Sequence, residues 1–189
     1  PMQRCLMDGV EETGVCIQKM VKQLDAGDVI AETKVAVPVQ MNLGELQKKL
    51  CEASKKLLLS VLRSFEKEGV PEALPQDPAE VTFAPKIETE ECEIRWNRPA
   101  REIHNLVRAL SPRPGAWCWI EQEGNKKRLK VLRTKILSKE GSPREFEQAQ
   151  ALIYCGEGAI ELEESQPEGK KPMPAFAVRL GLKDLIIFL

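Results

Sequence analysis

Apolar positions along the 189-residue chain change period twice. Val15, Ile17 and, more loosely, Met20 alternate with polar neighbours, which predicts a half-buried strand over about 14–20. Residues 29–37 repeat the extended pattern and are closed by Pro38 and Gln40. The period then lengthens: Leu46, Leu50, Ala53, Leu57, Val61 and Phe65 recur three or four apart, one stripe of a long amphipathic helix. Asn42, with Glu45 three residues on, forms a capping box with Asn in place of Ser or Thr, and Gly69 and Pro71 end the helix. Residues 2–8 form a shorter helix closed by Gly9. Because it starts at Pro1 with no leader or cap, it reads as a helix caught in progress, and an N-terminal truncation is expected.

Residues 71–86 carry Pro71, Pro75, Pro78 and Pro85 with few large apolar side chains, the composition of a linker. Pro99, following the candidate caps Asn97 and Arg98, opens a short helix at its first position; Ile103, Leu106, Val107 and Leu110 form its buried stripe. Residues 111–115 break it. Short strands follow at 116–120, 129–136, 151–154, 159–162 and 185–189, with turns at 124–125, 156–158 and 167–169. Short strands at this spacing around one helix predict a small antiparallel barrel, with Trp96, Trp117 and Trp119 in its core and rim.

Charge changes this picture locally. The net charge is only −1, yet residues 95–139 hold 12 Lys/Arg against three acids, whereas residues before 82 hold 10 basic and 13 acidic side chains. A basic segment in a near-neutral chain fits a polyanionic partner; a solvated face neutralised from elsewhere fits equally well. The six cysteines include no Cys-x-x-Cys pair, so zinc is not expected, and several take apolar-periodic positions as small hydrophobes. No apolar run is long enough to cross a bilayer, which makes the cytoplasm the default. His104, the single histidine, is expected on the surface of the short helix.

The first strand leads into Leu24-Asp25-Ala26-Gly27-Asp28, a turn in which glycine permits positive φ and either carboxylate can bond nearby amides. Most such turns only redirect the chain. The alternative is an acid held at the mouth of a pocket.

Four blocks carry a family resemblance. Glu12-Thr13-Gly14-Val15 through Asp28, preceded by Pro1-Met2-Gln3-Arg4, resembles the formyltransferase domain that uses 10-formyltetrahydrofolate. Ile94-Arg95-Trp96, Arg108 to Pro112 and Pro114-Gly115-Ala116-Trp117 resemble the C-terminal domain of the methionyl-tRNA formyltransferase family. Thr82-Phe83-Ala84-Pro85-Lys86-Ile87 fits that family's linker, and Gln166 to Met173 its late signature. The resemblance implies a fold in three parts. Residues 1–70 are the α/β remnant of a Rossmann-like catalytic domain, 71–93 a linker, and 94–189 an OB-like antiparallel barrel that grips tRNA.

It also implies formyl transfer to the α-amine of methionine on initiator tRNA, in a cytoplasmic monomer with no metal and no membrane partner. The amine attacks the formyl carbon and an Asn amide and a His stabilise the tetrahedral oxyanion, while an Asp manages protons and orients the His. By position Asp25 is the catalytic carboxylate. Lys86, Lys126, Lys127, Arg128, Lys130, Arg133, Lys170 and Lys171 are the expected tRNA contacts, through backbone phosphates.

The departures matter too. Arg95 stands where the family motif has an acid, and Thr89 where a second linker lysine is common. The family's Asn-x-His segment belongs upstream of Pro1, so the chain alone is expected to be inactive. A relative acting on another amine, such as that of a nucleotide sugar, and a non-enzymatic RNA-binding barrel are the competing readings.

Overall fold

A computed structural model describes residues 1–69, 71–122, 124–174, 176–177, 180 and 186–187. The chain opens with helix α1 (Met2–Met7), strand β1 (Glu12–Gln18), strand β2 (Val29–Ala36) and the 26-residue helix α2 (Leu43–Glu68). β1 and β2 pair antiparallel, from Glu12 opposite Ala36 to Ile17 opposite Ala31. The first strand thus starts two residues earlier than the apolar alternation indicates and stops before Met20. Backbone pairing with Val35 and Ala36 recruits Thr13 and Glu12, while Lys19 N–H turns to bond Asp28 O at 2.9 Å.

The start of α2 is as the sequence predicts. Asn42 Oδ1 accepts from Glu45 N–H at 2.9 Å and Glu45 Oε2 accepts from Asn42 N–H at 3.0 Å, satisfying two otherwise orphaned donors. Leu43, Leu46 and Val61 are buried; Leu50, Ala53, Leu57 and Phe65 are half-buried along the predicted stripe. Gly69 ends the helix with φ +82°, a left-handed value that favours glycine.

After an exposed proline-rich stretch with short 3-10 turns at Pro78–Glu80 and Thr89–Cys92 comes helix α3 (Ala100–Leu110). Pro99 is its cap and not its first residue, because the first N–H, of Ala100, is taken by Glu157 O at 2.8 Å. Among the described residues seven strands follow: β3 (Ala116–Gln122), β4 (Asn125–Leu137), β5 (Phe146–Glu147), β6 (Leu152–Tyr154), β7 (Ala159–Pro167), β8 (Met173–Pro174) and β9 (Ile186–Ile187). They form one sheet in the order β5-β6-β7-β4-β3-β9, with β8 on β7 and every ladder antiparallel. Among the described residues β5 and β9 do not pair, so the path is open and no closed barrel is formed. Of the last predicted strand only 186–187 lie among the described residues.

The sheet wraps α3. Ile103, Val107 and Leu110 meet Ala116, Cys118, Ile120, Leu129, Val131, Ile153, Ile160 and Leu162 in one core that also takes Ile94 and Trp96. A second core joins the two halves of the chain: Leu6 of α1 and Ala109 of α3 pack with Val37, Met41, Leu43 and Leu46. His104 lies at that junction, 2% exposed, and not on the helix surface as its sequence context indicates. Its Nε2 is 2.9 Å from Val39 O and its Nδ1 2.9 Å from Thr134 Oγ1. A carbonyl only accepts, so Nε2 carries the proton and Nδ1 accepts from the threonine hydroxyl. These two bonds offset the cost of burying the imidazole.

Candidate functional site

The turn carrying Asp25 is built from three distant pieces. Asp25 itself has φ +54°, a left-handed value tolerated by a short polar side chain. Gln76, from the proline-rich stretch, reaches across the loop: its Nε2 donates to Asp25 O at 2.9 Å, Gly27 O at 2.7 Å and Gln18 Oε1 at 3.1 Å. Gly27 has no room for a side chain, since a Cβ there would meet Lys19 O. Lys19 also faces Asp28 across 3.8 Å. The backbone is therefore held on both sides while the Asp25 side chain stays exposed, with no hydrogen-bond or ion-pair partner among the described residues. Beside it Met20 and Leu24 are 94% and 87% exposed, an apolar rim around a free carboxylate. Such a carboxylate can accept a proton or orient a donor. His104 is not its partner, being occupied on both ring nitrogens elsewhere.

The expected tRNA-contacting cations fall into separate groups. Lys126, Arg128 and Lys130 project from one face of β4, opposite the buried Leu129 and Val131. Lys127 alternates onto the opposite face and is half-buried, so it does not share their surface. Arg133 follows an irregularity in the β4–β7 register and turns to Glu45 of α2, at 2.6 Å. Burial pushes the Glu45 pKa up, but the Asn42 N–H and the Arg133 guanidinium together hold it below the ordinary carboxylate value. Lys170 and Lys171 are exposed behind Gly169, on a turn tied to β4 by Glu168 N–H to Arg128 O at 2.9 Å. Lys86 is exposed on the linker; its carbonyl accepts from Arg4 Nη2 at 2.9 Å.

Three features escape sequence reasoning. Gln76 carries no local signal, because its acceptors lie some 50 residues away. Arg4 clamps the linker: its guanidinium bonds Pro85 O and Lys86 O and grips Glu91 at 2.6 and 3.0 Å. The guanidinium, with help from the Glu88 N–H, holds the Glu91 carboxyl down at about 2. Trp117 and Trp119 flank the buried Cys118 and point outward together, rings edge to face at 5.7 Å, with the Arg128 guanidinium 4.4 Å from one and 5.2 Å from the other. The alternation of large rings around a small apolar residue was the available signal for that pair. Among the described residues no group of His, Cys, Asp or Glu is arranged to hold a metal ion, and no helix is long and apolar enough to cross a membrane.

Residues 1–62 match the family described as "Formyl transferase", and residues 86–180 match "Formyl transferase, C-terminal domain". A methionyl-tRNA formyltransferase of Protochlamydia amoebophila (strain UWE25) is 43% identical over 177 residues, covering 92% of this chain and 55% of that protein. The chain belongs to the formyl transferase family. This formyl transferase chain spans about half the length of the curated relatives it matches. Its α/β fold is shared by solved structures of lower identity. HypX from Aquifex aeolicus, in complex with tetrahydrofolic acid, superposes with TM-score 0.69 at 21% identity, over 97% of this chain and 33% of that one. An N-formyltransferase from Helicobacter canadensis, solved with folinic acid and dTDP-3-aminofucose, gives 0.65 at 15% identity, over 84% of this chain and 58% of that one. At these identities the formyl transferase likeness speaks to fold alone.

Proposed function

We propose that this chain supplies the catalytic carboxylate and the tRNA-gripping part of a methionyl-tRNA formyltransferase, which moves a formyl group from 10-formyltetrahydrofolate to the α-amine of methionine on initiator tRNA. The observation that carries the reading is 43% identity, over 92% of the chain, to a relative of that name. In this reading residues 1–70 complete a Rossmann-like catalytic domain, 71–93 link it to the rest, and 94–189 form an OB-like antiparallel sheet whose path stays open among the described residues. The protein acts as a cytoplasmic monomer.

Asp25 takes the proton lost by the attacking amine and orients its general acid–base partner, a task suited to an exposed carboxylate on a pinned backbone. The folate co-substrate supplies an activated formyl carbon. Met20, Val21 and Leu24 present the apolar surface that one wall of a site for a flat ring system needs. The oxyanion donors are not among these residues. The single histidine is buried at the junction, so in this reading the groups that stabilise the oxyanion come from outside the described residues.

Lys126, Arg128, Lys130, Lys170 and Lys171 form the main phosphate-facing set, with Lys86 on the linker. Lys127 and Arg133 contribute less, one facing away and the other engaged with Glu45. The test is binding of initiator methionyl-tRNA to the chain across a salt series. Affinity should fall steeply with salt, and charge reversal at Lys130 should flatten the log–log slope by about one unit. Salt-independent binding, or none, would overturn the tRNA assignment.

A further inference from the structure

We propose that the outward face of the β3–β4 hairpin is a stacking platform for unpaired nucleotides of RNA, with Trp119 and the Arg128 guanidinium as its stacking surfaces; this rests on the reading of the chain as tRNA-directed. Pairing places Trp117 opposite Lys130 and Trp119 opposite Arg128, so a row of indoles lies beside a row of cations on one surface. The two rings meet at 80°, and the guanidinium of Arg128 lies against both. Lys126 sits over the Trp119 ring at 4.6 Å, where a flexible cation yields its place to a base and turns to the phosphate, and Lys130 Nζ donates to Pro114 O at 2.9 Å beside it.

The Arg128 guanidinium has no carboxylate partner among the described residues, and its Nε is buried without a hydrogen-bond acceptor. The nearby acid, Glu168, spends its carboxylate on the Arg128 backbone N–H, at 3.1 Å. An arginine held in one conformation by two rings and left without an anion has already met the ordering cost of gripping one. Phosphates alone would need no tryptophans. Indole and guanidinium planes side by side match a base that has left its stack, whose face is open and whose own phosphate follows within reach. A duplex keeps its base faces covered and offers this surface only its backbone.

The test uses the 189-residue chain and three probes of equal length and charge: single-stranded RNA, its abasic ribose–phosphate counterpart, and an RNA duplex hairpin. Single-stranded RNA should bind tightest and quench indole fluorescence. Trp119→Ala should weaken that probe about tenfold, consistent with the loss of one base–aromatic stack, and leave the abasic probe and the salt slope unchanged. Trp119→Phe should restore most of the affinity. Arg128→Lys, which keeps charge but loses the plane, should fall with Trp119→Ala for single strands only. Equal affinity for the abasic and single-stranded probes, or native affinity in Trp119→Ala, overturns the platform while leaving tRNA binding standing. Binding of none of the three overturns both readings.

Discussion

Replacing His104 by alanine perturbs the junction between the two halves of the chain at its most constrained point. The ring is 2% exposed and bridges Val39 O and Thr134 Oγ1, each at 2.9 Å. Its removal leaves the buried Thr134 hydroxyl without a partner, at about 1–3 kcal/mol, and loses the bond to the partly buried Val39 carbonyl, at about 0.5–1.5 kcal/mol. It also leaves a cavity worth on the order of 1 kcal/mol. Partial relaxation brings the expected loss to roughly 2–4 kcal/mol, a large share of the ordinary stability of about 5–15 kcal/mol.

The same residue predicts a pH dependence. Burial holds the folded His104 pKa below its ordinary 6.5 against the raising effect of the Val39 bond, and Arg108 and Arg101 lower it further. The unfolded chain therefore takes up a proton near pH 6.5 that the folded chain refuses. Stability is full above that pH and falls as pH drops below it, by up to about 1.4 kcal/mol per unit until the folded pKa is reached. His104 is the only histidine in the sequence, and Glu91, held at about 2, loses its contribution only between 4.5 and 2. Urea unfolding at pH 7.5 and at pH 5.5 isolates the effect. The native chain should lose up to about 1.4 kcal/mol between the two conditions. His104→Ala should be weaker at both and flat between them. A variant within about 1 kcal/mol of the native chain, or with its pH dependence intact, refutes the reasoning, since a satisfied buried imidazole cannot be that cheap to remove.

Asn42→Ala should cost about 1 kcal/mol in the same assay, because it removes the cap of α2, whereas Arg133→Ala should cost less than about 1 kcal/mol, its pair with Glu45 being half-exposed. Gln76→Ala should leave global stability nearly unchanged yet speed amide exchange at residues 25–28, since it removes the donor that pins two carbonyls of that turn. With a thiol reagent, Cys16 and Cys51 should react in the native chain, and Cys118, buried and pushed up to about 12, only on unfolding.

Local signals carried much of the fold. The Asn42–Glu45 box, the stripe from Leu46 to Phe65 and the alternation around Leu129 and Val131 act through neighbours in sequence, and each appears where the residues predict it. Tertiary demands were not visible there. His104 sits beside exposed-looking Arg101 and Arg108, yet a carbonyl 65 residues away draws it inside. Met20 continues an apolar alternation but lies in solvent, because the backbone turns at Lys19 to meet Asp28. At the candidate site a turn was legible but its chemistry was not: Asp25 and not Gly27 takes the positive φ, Gly27 is required by the closeness of Lys19 O, and Gln76 secures the loop from a distance. The basic window lies along β4, where simple alternation already sets Arg128 and Lys130 opposite Leu129 and Val131; the irregular register at Arg133, which turns it to Glu45, has no local signal.

The central claim is that Asp25 serves formyl transfer to methionyl-tRNA. It is tested most directly by joining the chain to the upstream portion of the Protochlamydia amoebophila relative and following labelled formyl transfer from 10-formyltetrahydrofolate, with a nucleotide-linked amino sugar as competing acceptor. The account predicts that methionyl-tRNA is formylated, the amino sugar is not, and Asp25→Asn cuts turnover at least a hundredfold with tRNA affinity retained, the low end of general acid–base effects of about 10²–10⁴. Near-native turnover in Asp25→Asn, or preference for the amino sugar, would contradict it.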